Sequence, residues 1–265
     1  MPPLAHQVIL RLRDDRVLAP TVAARRALAG AVARAGEPFS LLVFRAADTH
    51  LHIVALCPAP EAVELGRRVA ISLVRALALP VGFNTGHVRP VTDQAHLRSL
   101  FFYVLGQERH HGIDLDPFHD ASNLPDLLGM RLLARHTLRT VRASLPRLRR
   151  ADLLKPLGIA ALPEEPASYE PLAEAAAAAG GLPTLTGRSA EVVAARRAAV
   201  HTARDALSGA ETARLLGLSE RAITRLRGEE TDKDLVLAVR RQLAVRAARP
   251  EAEVQGVYEA GPTYG

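Results

Sequence analysis

The sequence predicts an α+β domain that is followed by an all-α domain. Two observations lead to this prediction. Within residues 1–57 the spacing of apolar side chains changes in the order strand, helix, strand, strand. Within residues 188–248 it is helical throughout, whereas residues 146–187 are rich in Pro, Ala and Gly and resist a continuous packed element. We therefore expect a mixed domain over 1–145, a linker over 146–187, a helical domain over 188–248 and a flexible tail over 249–265.

The elements of the mixed domain follow from the period of their apolar residues. Residues 6–13 alternate apolar and polar side chains, as in a half-buried strand, and residues 21–35 have helical spacing that stops at Gly36. Two strand-like runs, 39–46 and 51–57, are joined by a short turn and suggest a hairpin. The remaining predicted elements are a helix over 61–79, a loop and strand over 82–91, a helix over about 94–110 and a helix over 124–145.

The charge of the chain favours nucleic acid as a partner. The 265 residues have a formal net charge of +6, and all but two of the 34 basic residues are arginine. Basic side chains that bind a phosphate backbone release its counterions, and the planar guanidinium pairs well with phosphate or guanine. An Ala- and Arg-rich composition also raises the charge without any binding role, so composition supports DNA binding without deciding it.

Cysteine content and hydropathy exclude several classes. Cys57 is the single cysteine, which excludes an intramolecular disulfide framework and a zinc site made of several thiolates. No apolar run approaches the roughly 20 residues needed to span a bilayer. Residues 1–6 have neither the basic nor the apolar part of a signal peptide. We therefore expect a cytoplasmic protein that does not bind a membrane.

The best candidate for chemistry combines a histidine pair with a tyrosine. His50 and His52 are two residues apart in a predicted strand, so both imidazoles project from one face. Tyr103 and Gln107 are one helical turn apart and share a face of a predicted helix. Two imidazoles and the Gln107 amide oxygen would leave open metal positions that suit Mg²⁺ or Mn²⁺, and zinc stays open. The alternatives are an incidental histidine pair and a buried helix aromatic.

These residues and their order resemble the single-tyrosine HUH transposases, in particular the REP-associated tyrosine transposase group. The resemblance covers about the first 130 residues and depends on the opening strand 6–11, the strand 49–53 and the segment 103–107. It implies an antiparallel sheet with flanking helices, of the HUH and ferredoxin-like type, for the mixed domain. It also implies DNA, single-stranded or folded as a hairpin, as the substrate.

The resemblance assigns a role to each candidate residue. It implies that His50, His52 and Gln107 hold a divalent metal. Tyr103 would attack a DNA phosphodiester and form a 5′-phosphotyrosine bond. Two departures bear on this assignment. Thr49 precedes the first histidine where many relatives have Asn, which would loosen the orientation of His50, and Gln107 with the residue after it stands where many have Asn-Pro.

A helix-turn-helix is predicted within residues 209–227. Ala213 provides the small side chain where two helices touch, Gly217 fits the turn, and Ser219 can cap the second helix. Such a helix could read duplex DNA, with an ordinary helical bundle as the alternative. The candidate DNA contacts on it are Arg221, Thr224, Arg225 and Arg227. Arg131, Arg135, Arg139 and Arg142 recur along one face of the predicted helix 124–145, as a solvated face or as a phosphate-binding stripe, for which we take Arg135, Arg139 and Arg142.

Three functions remain in competition at this point. The first is a metal-dependent single-strand DNA endonuclease and strand transferase of the transposase type. The second is a domesticated, catalytically weak transposase that acts as a sequence- or hairpin-specific DNA-binding regulator. The third is a metal hydrolase unrelated to DNA, disfavoured because no further carboxylate completes a metal-ligand motif. A homodimer is compatible with the sequence, and His110 and His111 could be ligands, bases or helix-end caps.

Overall fold

The computed structural model describes residues 2–107, 116–162 and 165–248. The four strands between Ala5 and Val91, numbered β1 to β4 in chain order, form one antiparallel sheet in the order β2-β3-β1-β4. This order, with one helix after β1 and one after β3, is that of the split βαβ fold, so the predicted α+β class and antiparallel sheet are confirmed. The elements are β1 (Ala5–Arg11), α1 (Val22–Gly36), β2 (Leu41–Ala47), β3 (His50–Ala55), α2 (Ala59–Ala76), β4 (His87–Val91) and α3 (Gln94–Leu105).

The two faces of the sheet pack against different helices. Strand side chains alternate between faces, so Leu10, Leu51 and Ile53 lie in one core with α1 and α2. Val54 lies in a second core with Phe101 of α3 on the opposite face. Because the histidines of β3 are in step with Val54, they lie on the α3 side of the sheet.

The outer edges of the sheet differ. The backbone of residues 121–123 covers the edge at β2, where the Ala46 amide donates to the Ala121 carbonyl at 2.9 Å and Arg45 bridges to Ser122. The edge at β4 is short and contains Arg89 and Pro90. Within the described residues, β1 is the strand that pairs with β4.

The helix predicted over 94–110 ends earlier than expected. Asp93 caps its start by accepting the His96 amide at 2.8 Å, and α3 ends at Leu105 with Gly106 as its C-cap. Gln107 therefore lies beyond the helix, directly after its C-cap Gly106. Residues 108–115, with His110 and His111, lie outside the described residues.

The helix predicted over 124–145 is two helices, α4 (Leu124–Leu127) and α5 (Arg135–Ser144). Gly129, with φ of +71°, lies in the break between them, a backbone conformation that glycine adopts without steric cost. The Asp126 carboxylate accepts the Ala134 amide at 2.9 Å and so stabilises the break. Arg131 is fully buried in this segment and does not belong to an exposed basic face.

The segment expected to be a linker contains helices. These are α6 (Arg150–Leu154), a 3₁₀ turn over Lys155–Leu157, and α7 (Leu172–Gly180). The Ala175–Ala179 run within α7 is buried in the core of the helical region. Alanine has the highest helix propensity and its small side chain permits close helix contacts, so this run forms a packed helix instead of a linker.

The helical region surrounds α7. The buried side chains of α8 (Ala190–Ala203), α9 (Gly209–Leu216), α10 (Glu220–Gly228) and α11 (Lys233–Ala248) form one core with those of α7. No helix in the described part of the chain is long and apolar enough to span a bilayer. The expected flexible tail, 249–265, lies outside the described residues.

A buried ion network connects α1 to α7. Arg26 on α1 donates to Asp120 at 2.8 Å and to the Leu182 carbonyl at 2.8 Å, and it also pairs with Glu174 on α7. Arg131 donates to the Asp120 carbonyl at 2.8 Å and to the Asp126 carboxylate at 2.7 Å. The mixed domain and the helical region are therefore joined by charged contacts.

Candidate metal and nucleophile site

The structure brings His50, His52 and Tyr103 together between β3 and α3. The ring centroids of His50 and His52 are 4.7 Å apart. The ring of Tyr103 stands edge-to-face with that of His52, with centroids 6.0 Å apart. The geometry follows from the strand and helix periods. Alternate residues of β3 share a face of the sheet, and Phe101 and Val104 anchor α3 on that same face.

His52 is a buried, neutral imidazole. Its side chain is 5% exposed, and its Nδ1 lies 3.1 Å from Nε2 of Gln7. Its Nε2 is buried and has no hydrogen-bond partner among the described residues. Burial, and then the positive charges of His50 and Arg89, lower the pKa of His52 from 6.5 to about 4. The ring is therefore uncharged at neutral pH, which is the form that binds metals.

Tyr103 combines an anchored helix with an accessible phenol. Tyr103 is 42% exposed, so part of the residue is accessible to solvent. The helix that carries it is held at its C-terminal end by Arg45, whose Nη1 donates to the Leu105 carbonyl at 2.9 Å. A basic side chain that satisfies the last carbonyl groups stabilises a helix end, so Arg45 helps to place Tyr103 against His52.

Gln107 is buried at the end of the same helix. Its side chain is 4% exposed, in the turn that follows Gly106. The described residues contain no group of three or more His, Cys, Asp or Glu side chains that could hold a metal. The ligands that the sequence assigns to a metal are His50, His52 and the Gln107 amide oxygen, and the buried Nε2 of His52, which has no partner among the described residues, fits a role as one of them.

Sequence reasoning missed two polar residues beside the histidines. Gln7 contacts His52 directly, and Arg89 lies opposite Gln7 in the β1–β4 pairing. Alternation along β1 was a usable signal, because it places Gln7 and Ile9 on one face, and Ile9 pairs with His52. The neighbours of that face became visible only with the strand order.

The lowered pKa of His52 predicts acid sensitivity of the fold. The unfolded chain has the ordinary pKa of 6.5, so it binds a proton that the folded state resists. The contribution of the neutral ring to the free energy of unfolding is complete above pH 6.5 and is lost as the pH falls to about 4. The loss is at most about 3 kcal/mol.

Urea denaturation of the wild type and His52→Gln between pH 7.5 and 4.5 measures this loss. We expect the wild type to lose more stability than the variant, whose side chain does not titrate. Equal losses in the two proteins would show that His52 is not the group responsible.

The predicted helix-turn-helix residues lie on two short helices, α9 and α10. Gly217, with φ of +61°, ends α9, and Ser219 caps α10 by accepting the Ala222 amide at 3.3 Å. Arg227 is half-buried and donates to the Leu207 carbonyl at 2.9 Å, so it holds the fold of this region together. The remaining predicted contacts, Arg221, Thr224 and Arg225, are exposed.

The basic residues of α5 are exposed but differ in their contacts. Arg135, Arg139 and Arg142 lie along one side of the helix at four- and three-residue spacing, facing solvent. Arg135 forms an ion pair with Asp234 at the start of α11. This pair neutralises part of the charge of the stripe.

Comparison with known proteins gives a structural similarity and no family. No family model matches it, and no curated protein matches it either. Among solved structures, it is similar to the structure of the REP-associated tyrosine transposase bound to a REP hairpin, at 15% sequence identity and a TM-score of 0.37. The similarity covers 42% of this chain and 70% of that one. A likeness at this level does not place the chain in that family.

Proposed function

We propose that this chain is a transposase-like, metal-dependent single-strand DNA endonuclease and strand transferase with Tyr103 as its nucleophile. The observation that supports it most directly is the contact of a part-exposed tyrosine with a buried, neutral imidazole, which has a second histidine beside it. Tyr103 packs edge-on against His52, and His52 in turn packs against His50. The sequence resemblance to single-tyrosine HUH transposases involves the same three residues.

The residues divide the chemistry between them. His50, His52 and Gln107 would hold Mg²⁺ or Mn²⁺, which when bound acts as a Lewis acid on the scissile phosphate. The phenol of Tyr103 loses its proton to solvent, and its oxygen attacks the phosphorus. The bond from phosphorus to the 3′ oxygen breaks, and that oxygen takes up a proton from solvent. The products are a 5′-phosphotyrosine and a free 3′-hydroxyl group.

The covalent bond makes strand transfer independent of an external energy source. The phosphotyrosine retains the energy of the broken phosphodiester. A 3′-hydroxyl group can therefore attack it, release Tyr103 and join the strands. Ile9 pairs with His52 on one side and with His87 on the other, and Ile9 is partly exposed and His87 exposed.

The test is the formation of a protein–DNA adduct that depends on metal. Purified protein is incubated with Mn²⁺ and labelled single-stranded hairpins from the DNA that flanks its gene, and the products are resolved on a denaturing gel. We expect a protein-linked band that falls by about 100-fold or more with EDTA, because a Lewis acid contributes several kcal/mol to such a reaction. An adduct that is unchanged by EDTA would contradict the metal-dependent mechanism.

A DNA-binding regulator derived from a transposase is the second candidate. The observation that favours it is the exposure of Arg221 and Arg225 on α10. This helix is separate from α3, which contains Tyr103. Binding through α10 does not require a working nucleophile. DNA binding without an adduct, across all flanking hairpins and both metals, would favour this function over the nuclease.

DNA binding by α10 predicts a selective loss of affinity. The double variant Arg221→Ala/Arg225→Ala should bind the recognised DNA about 30-fold more weakly or worse, because each Arg contact to a base contributes about 1–3 kcal/mol. Fluorescence anisotropy at fixed ionic strength measures the change.

A matched control removes the same charge from another surface. Arg67 and Arg68 on α2 are exposed and pair with Glu64, much as Arg225 pairs with Glu229. We expect Arg67→Ala/Arg68→Ala to retain near wild-type affinity. Equal losses in the two double variants would indicate binding through overall charge and not through α10.

A further inference from the structure

The buried side chain of Gln7 contacts His52 within the sheet. Ile9, two residues along β1 from Gln7, pairs with His52 on β3, so Gln7 is a diagonal neighbour of His52 on the same face. Nε2 of Gln7 lies 3.1 Å from Nδ1 of His52, and both side chains are buried. The contact occupies Nδ1 of the His52 ring, so Nε2 is the ring nitrogen that could bind a ligand.

The hydrogen bond can run in two senses. A half-turn about the last side-chain bond of Gln7 exchanges the positions of its amide nitrogen and oxygen. If Gln7 donates to Nδ1 of His52, the proton of the neutral ring must lie on Nε2. That N–H would be a buried donor without a partner among the described residues, which is unfavourable. If the Gln7 oxygen accepts a proton from Nδ1, the lone pair of Nε2 is free.

We propose that Gln7 is a positioning residue that sets the tautomer of His52 for metal binding. Its amide oxygen accepts the Nδ1 proton of His52, and Nε2 of His52 then binds a divalent cation. This inference rests on the proposed function, because it assigns Gln7 a role in the same site. It agrees with the general behaviour of metal-bound histidines, which donate their second ring N–H to an acceptor that orients the ring.

The direction of the Gln7–His52 hydrogen bond depends on whether a metal is bound to His52. Without metal, donation from Gln7 and acceptance by Gln7 are both available to the pair. With metal on Nε2 the proton can lie only on Nδ1, so Gln7 must accept. An acceptor at position 7 should therefore strengthen metal binding, and an apolar side chain of the same size should weaken it.

Metal affinity of three variants tests the proposal. Mn²⁺ is titrated into the full-length chain at pH 8, and free Mn²⁺ is followed by its electron paramagnetic resonance signal. We expect Gln7→Leu to bind Mn²⁺ about 10 to 100-fold more weakly than the wild type. We expect Gln7→Glu, whose carboxylate can only accept, to restore wild-type affinity or exceed it.

Gln242→Leu is the matched control. Gln242 on α11 is as buried as Gln7, and its amide donates to the Met130 carbonyl at 3.0 Å. Its loss removes a buried amide hydrogen bond far from the histidines along the chain, so it should change thermal stability and leave Mn²⁺ affinity unchanged. Circular dichroism melting of all variants separates loss of fold from loss of affinity.

The nitrogen spectrum of His52 tests the proposal without any variant. In wild-type protein labelled with ¹⁵N and loaded with diamagnetic Zn²⁺, we expect Nδ1 of His52 to carry a proton and Nε2 to be metal-bound. The reverse assignment overturns the proposal, as does equal Mn²⁺ affinity of Gln7→Leu and the wild type, or equal losses in Gln7→Leu and Gln7→Glu. A wild-type protein that binds neither metal overturns the proposed metal site as well.

Discussion

Replacing Tyr103 with Phe should reduce the protein–DNA adduct by about 10³-fold or more, because the variant lacks the oxygen that forms the covalent bond. The ring and its edge-to-face contact with His52 are retained. Since the side chain is 42% exposed, the free energy of unfolding should change little. Mn²⁺ affinity should also stay near that of the wild type, so the loss would be specific to the chemical step.

Tyr169→Phe is the control for this prediction. Tyr169 packs against the core of the helical region and undergoes the same loss of a hydroxyl group. Its adduct should form at the wild-type level on the same denaturing gel. An adduct that persists in Tyr103→Phe would move the nucleophile to another residue and would contradict the proposed mechanism.

The largest effect on stability is expected at the buried ion network. Asp126→Asn removes the carboxylate nearest to the fully buried Arg131 and leaves Asp120, at 3.5 Å, as its remaining carboxylate, while the substituted side chain keeps its shape. Breaking a buried ion pair in this way costs about 3–5 kcal/mol, because the remaining charge stays desolvated. Urea denaturation at pH 7 should show a correspondingly lower free energy of unfolding.

An exposed pair gives the comparison. Asp234 pairs with Arg135 on the surface, and both side chains are about half exposed. Asp234→Asn should cost no more than about 1 kcal/mol, since water screens such pairs. A loss in Asp126→Asn as small as that in Asp234→Asn would contradict the prediction, because it would mean that Asp120 or water compensates the charge of Arg131 in the variant.

Local periodicity predicted the placement of the histidines and the sheet-facing side of α3. His50 and His52 share a face because the strand period holds along β3, and no distant residue had to be known for that step. The end of α3 was missed although Gly106 follows Leu105 directly. The apolar and aromatic residues before Gly106 have helical spacing, and this spacing led to a predicted helix that continues past the glycine and includes Gln107.

Burial and partner choice could not be predicted from the sequence. Arg131 shows the same three- and four-residue spacing as the exposed Arg135 and Arg139, yet it is buried because Asp126 and Asp120 surround it in space. The buried alanine run of α7 has no amphipathic period to reveal which side is packed. Its environment depends on α8 and α11, which are distant along the chain.

The open edge of the sheet limits how two copies of the chain can associate. Strand β4 has five residues, and Pro90 within it has no backbone N–H to donate. Arg89 adds a charge, so a strand from a second molecule would meet an edge with the features that natural proteins use against edge-to-edge aggregation. Two copies should therefore not associate by continuing the sheet, and high concentrations should not drive β-type fibres from this edge.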